Sequence, residues 1–112
     1  MTYVVAAART PTGKYIKGLK PYTATELGAA ALKAAVTRAR VPPRAVEEVI
    51  MGNAISAGLG QNPARLAALE AGFPAQTNAF TVNQVCASGM TAVALAAQRI
   101  RLGASLIAAG GM

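Results

Sequence analysis

Alternation is the feature that most narrows what this chain can fold into. Residues 3–8 (YVVAAA), 49–51 (VIM), 79–83 (AFTVN) and 105–109 (SLIAA) are short, apolar runs of strand character. Each is separated from the next by a longer stretch with helical signals. Two parallel strands need a crossover of a dozen or more residues, and a helix is the usual one. The expected class is therefore α/β, in the order β-α-β-α-β-α-β. Its sheet should be parallel or mostly parallel, with helices covering both faces.

The helices announce their ends. Thr23-Ala24-Thr25-Glu26 has capping-box spacing, so the Thr23 hydroxyl can take up a free N–H of the first turn. That helix is expected to run to about residue 39, with Leu27, Ala31, Ala34 and Ala35 on its apolar face, and Pro42-Pro43 prevents continuation. Asn62, Pro63 and Gly72 frame a second helix, with Leu66 and Leu69 as its apolar face. A third is expected over residues 86–102. Val85, Met90, Val93, Leu95 and Ile100 surround most of it, and no charge precedes Arg99. A helix apolar all round is a buried one.

Composition bounds the partners. Only 13% of residues are charged while 54% are hydrophobic, against about 25% charged in ordinary globular proteins. Such a chain is short of surface and is expected to lie against further sequence, another subunit, or both. The net charge of +7 comes from 11 Lys and Arg against 4 acidic residues. The cations are dispersed from Arg9 to Arg101 with no interleaved aromatics, which argues against nucleic acid as a partner. A lone cysteine forms no internal disulfide. No basic segment precedes an apolar signal core, and the longest apolar stretch, 85–97, falls short of the ~20 residues that span a membrane. The expected location is cytoplasmic.

Cys86 lies in TVNQVCASGMTA and is the single cysteine. Two readings stand. Free cysteine often acts as a small buried hydrophobe. At the start of a helix, however, a thiolate meets unpaired N–H groups and the positive end of the helix dipole. Following a strand, it would also lie at the carboxyl edge of the sheet, where open α/β sheets carry their sites. Gly89 allows a ligand or another backbone to come close. With no histidine and no second cysteine in the chain, metal ligation and C-x-x-C redox chemistry lack partners. The GLGQNP run at 58–63 is neither a phosphate loop nor a dinucleotide fingerprint.

The segment VNQVCASGMTAVALAAQRIRLG resembles the active-site stretch of the thiolases. The likeness continues in AARTPTGKYIKG, in VEEVIMGNAISAGLGQNPARLAALEAG and in LIAAGGM. It implies a thiolase-like fold, with residues 1–112 as a partial N-terminal domain lacking the loop domain and the C-terminal half. It implies an acyl-CoA acetyltransferase that works through an acyl-cysteine intermediate, with coenzyme A as substrate and no other cofactor. By this resemblance Cys86 is the nucleophile and its backbone N–H an oxyanion donor. Asn83, Ser88 and Gly89 shape its turn, and Gln61, Asn62 and Arg65 lie near a subunit interface. The histidine base and a second cysteine belong to the absent half, so this chain alone is expected to be inactive. The full-length form is expected to be a homodimer or homotetramer. The β-ketoacyl synthases share the fold and a helix-start cysteine, but the GQNPAR and AARTP segments favour thiolase. A non-catalytic interaction fragment is the alternative of another class.

Overall fold

A computed structural model describes residues 1–112. Helix α1 spans Ala24–Ala39, and a single 3₁₀ turn at Pro43–Ala45 leads into strand β1, Glu48–Gly52. Helix α2 spans Pro63–Glu70, strand β2 Asn78–Val82, helix α3 Ser88–Arg101 and strand β3 Ile107–Gly111. The three strands form one parallel sheet in the order β2-β1-β3, so β1 is the central strand. Its register sets Gly52 beside Val82 on one side and Gly111 on the other. The carboxyl ends of all three strands therefore emerge together.

Local chemistry explains the helix starts. Thr23 accepts from the Glu26 N–H while the Glu26 carboxylate accepts from the Thr23 N–H at 2.7 Å, which completes the capping box. Asn62 caps α2 by accepting from the Arg65 N–H, and its amide also donates to the Ala79 carbonyl of β2. Thr81 of β2 donates to Asn62 and accepts from the Ala64 N–H. The first turn of α2 is thus fastened to the strand beneath it. The core lies between α1, α2 and one face of β1, built on Leu32, Val36, Val49, Met51, Ala64, Ala67, Ala68 and Phe73.

The structure corrects several expectations. The run at 3–8 forms no strand, so the sheet has three strands rather than four. Val4 is 81% exposed, and the segment is tied to the body by the Arg38 guanidinium on the Ala7 carbonyl. A gap of about 500 Å³, lined mostly by apolar side chains such as Leu32, Val36, Val93 and Leu106, lies between this segment, α1 and β3. No ladder forms across it. The last strand lies two residues later than expected.

The helix faces also differ. On α1 the buried stripe is Thr25, Gly28, Ala29, Leu32 and Val36, while Leu27, Ala31, Ala34 and Ala35 are half-buried beside it. On α2 the alanines 64, 67 and 68 are buried, and Leu66 and Leu69 are 40% and 44% exposed. Close approach of α1 selects the small side chains: a Cβ on Gly28 would sit 3.5 Å from the Ala67 Cβ. Helix α3 begins at Ser88, two residues after the cysteine, and only Ser88 and Ala92 are buried along it. Met90 is 77% exposed. The apolar circumference is real in sequence, but these 112 residues cover one side of it. No helix is long and apolar enough to cross a membrane.

Candidate active site

Strand β2 ends at Val82, and four residues later the chain presents Cys86 on an exposed turn above the sheet's carboxyl edge. Asn83 begins the turn. Its side-chain oxygen accepts from the Val85 N–H at 2.9 Å, and its amide donates to the Ala54 carbonyl at 3.2 Å. Ser88 closes it, accepting from the Gln84 N–H at 2.9 Å and donating to the Val85 carbonyl at 2.6 Å. Two backbone bonds, Ala87 N–H to Gln84 and Ser88 N–H to Val85, complete the loop. One buried hydroxyl and one amide side chain thus hold the backbone of Gln84 and Val85, the two residues before the cysteine.

The turn stores strain. Val85 sits at φ 52°, in the left-handed region, and is 69% exposed. For a β-branched residue this is a true outlier, costing about 1–2 kcal/mol. The next residue, Cys86, is exposed. Its amide N–H and those of Gly89 and Met90 find no acceptor in the chain. A thiol beside unpaired N–H donors at a helix start is an arrangement that can bind a developing oxyanion.

The floor of the site is made of glycines. Gly89 lies over Gly111, with a Cβ on either falling 3.1–3.4 Å from the other's Cα, and Gly52 lies directly under Ser88 and Gly89. Buried Asn53, just beyond β1, donates to the Met112 carbonyl at 3.1 Å and accepts from Ser56 at 2.6 Å. This ties the ends of β1 and β3 below the turn. Sequence reasoning missed Gly52, Asn53 and Val85. Gly52-Asn53 closing a β-rich run was the available signal for the first two, whereas a valine carries no sign of a positive φ.

The residues Gln61, Asn62 and Arg65 fall in the approach to α2 and share no hydrogen bond with the Cys86 turn. Gln61 is exposed. Arg65 donates to the Thr77 and Ala75 carbonyls at 2.8 and 2.9 Å, bracing the loop that enters β2. No group of three or more His, Cys, Asp or Glu side chains comes together anywhere in the chain.

The family description "Thiolase, N-terminal domain" matches residues 2–112. A cytosolic acetyl-CoA acetyltransferase of Gibberella zeae is 51% identical over 110 residues, 97% of this chain and 28% of the relative. An acetyl-CoA acetyltransferase of Cupriavidus necator is 53% identical over 109 residues, again 28% of its length. Among solved structures, a thiolase from Ascaris suum in complex with coenzyme A superposes with a TM-score of 0.88 at 40% identity. That match covers 90% of this chain and 26% of the other. The chain thus spans little more than a quarter of the length of these relatives. With the family model matching over residues 2–112 and the fold in agreement, the chain belongs to the thiolase family.

Proposed function

We propose that this chain supplies the nucleophile side of an acyl-CoA acetyltransferase site. The Cys86 thiolate attacks the 3-keto carbon of a 3-ketoacyl-CoA. The C2–C3 bond breaks, its electron pair leaves with the two-carbon unit, and protonation there gives acetyl-CoA. The acyl group stays on sulfur as a thioester until the thiolate of free CoA takes it, restoring Cys86. In reverse, two acetyl-CoA condense to acetoacetyl-CoA. Division through a covalent intermediate gives ping-pong kinetics, and the free Cys86 N–H is an oxyanion donor.

The observation that carries this reading is an exposed cysteine on a strained, hydrogen-bonded turn inside a family match running over residues 2–112. Relatives at about 50% identity named acetyl-CoA acetyltransferases favour thiolase over β-ketoacyl synthase. Asn83, Ser88 and Gly89 act through the turn. The chain contains no histidine, so the proton transfers need a base from outside residues 1–112, and these residues alone are inactive. Cytoplasmic location and assembly through the surface around Gln61 complete the proposal; the Gibberella zeae relative is cytosolic by name.

Incubation with ¹⁴C-acetyl-CoA tests the acceptor role. A label that survives denaturation, leaves with hydroxylamine and is lost in Cys86→Ala is the expected result. Intact-mass measurement that finds no acetyl adduct on Cys86 in a form extended by the rest of a thiolase sinks the proposal.

A further inference from the structure

Beneath the cysteine turn the sheet and the helix meet backbone to backbone. Gly52 is the last residue of β1. A Cβ built there would overlap the Ser88 carbonyl carbon and lie 2.5 Å from both the Gly89 nitrogen and the Ser88 oxygen. All three are backbone atoms, so no rotamer change relieves the overlap.

The strand cannot retreat to make room. The Gly52 carbonyl accepts from the Met112 N–H at 3.0 Å, and the next residue, Asn53, donates its N–H to the Val82 carbonyl at 3.0 Å. β1 is therefore pinned to both neighbouring strands at this level. The helix must give instead, and Ser88 passes its displacement on through its bonds to Gln84 and Val85, the two residues before the cysteine.

We propose that Gly52 is a positioning residue for Cys86: its missing side chain sets the height of the first turn of α3 and, through Ser88, the placement of the thiol. Its importance for catalysis rests on the nucleophile reading above. The positioning itself is measurable without substrate, so the two can fail separately.

The experiment uses the 112-residue chain with a trifluoroacetonyl group on Cys86, read by ¹⁹F NMR, and unlabelled chain alkylated by iodoacetamide. Gly52→Ala is compared with Gly110→Ala, whose added carbon would meet only the Met51 side chain at 3.7–3.8 Å, an ordinary contact. Circular dichroism checks the fold. Gly52→Ala is expected to move the fluorine resonance and slow alkylation about three-fold, the size of a weakened helix-end interaction. Gly110→Ala should leave both at wild-type values. Where Gly52→Ala does not fold, Gly111→Ala replaces it, because its 3.1 Å approach to the Gly89 Cα needs a shift of only a few tenths of an ångström. A folded variant of Gly52, or of Gly111 in its place, with wild-type resonance and rate overturns the proposal. So does an equal change in Gly110→Ala. Failure of both variants to fold also overturns it, since the contact would then serve the fold rather than the cysteine.

Discussion

Val85 bears the cost of presenting the cysteine. An exposed β-branched side chain in a left-handed turn contributes little packing and about 1–2 kcal/mol of strain. Glycine would remove the strain but enlarge the unfolded ensemble, an opposing effect of about 0.4–1 kcal/mol. Val85→Gly is therefore expected to stabilise the chain by about 0.5–1 kcal/mol in urea unfolding while loosening the aim of Cys86. A clear loss of stability would mean that the valine is not held at positive φ in solution. Cys86 itself is free and exposed on its turn, so iodoacetamide should modify it in the folded chain without denaturant. Cys86→Ser should fold normally and accept no acetyl group from acetyl-CoA.

At the scale of the element, helix α1 depends on its cap. Thr23→Ala removes a bond to the first turn and should cost about 0.5–2 kcal/mol. The bonds from Thr23 to the Glu26 carboxylate, backbone first and then hydroxyl, hold that carboxyl below its ordinary value of 4.5. Because the folded value is the lower one, this stabilisation is present above pH 4.5 and is lost as pH falls through the folded value. Melting Glu26→Gln beside wild type across that range should show two curves converging in acid; a gap that widens contradicts the cap. Helix α2 tests the packing side. Ala67 is fully buried against α1 while Leu66 is partly exposed, so Ala67→Leu should cost about 1–3 kcal/mol by overpacking. Leu66→Ala should cost less.

For the whole molecule, an open gap lies beside β3. The segment 3–8 and β3 present apolar side chains and unpaired backbone across about 500 Å³. Met90 and Val93 on α3, and Leu102 just after it, add exposed apolar surface. Surface of this kind associates, so the 112-residue chain is expected to bind an apolar dye and to sediment as more than a monomer. A sharp monomer boundary with a cooperative melt and no dye binding would show a chain complete in itself. The same chain should cleave no acetoacetyl-CoA, for lack of any histidine base.

The fold class was legible because alternation and punctuation are local. Thr23-Glu26, Pro42-Pro43 and Asn62-Pro63 act within one turn of the chain, and each marked an element boundary to within a residue or two. The position of Cys86 after a β-rich run was legible too, and the structure sets it on an exposed turn four residues past β2. What sequence could not supply is which neighbour stands opposite each face. Leu66 and Leu69 read as core, yet α1 approaches so closely that only alanines fit between the helices. Residues 3–8 read as a strand, yet a strand exists only where a partner accepts its hydrogen bonds, and in the structure this segment joins no strand of the sheet. The same holds at the site. The sequence determined that a cysteine follows the strand; tertiary contact alone decided that Gly52, 34 residues earlier, sets how high it stands, because steric overlap between backbones depends on distance in space and not along the chain.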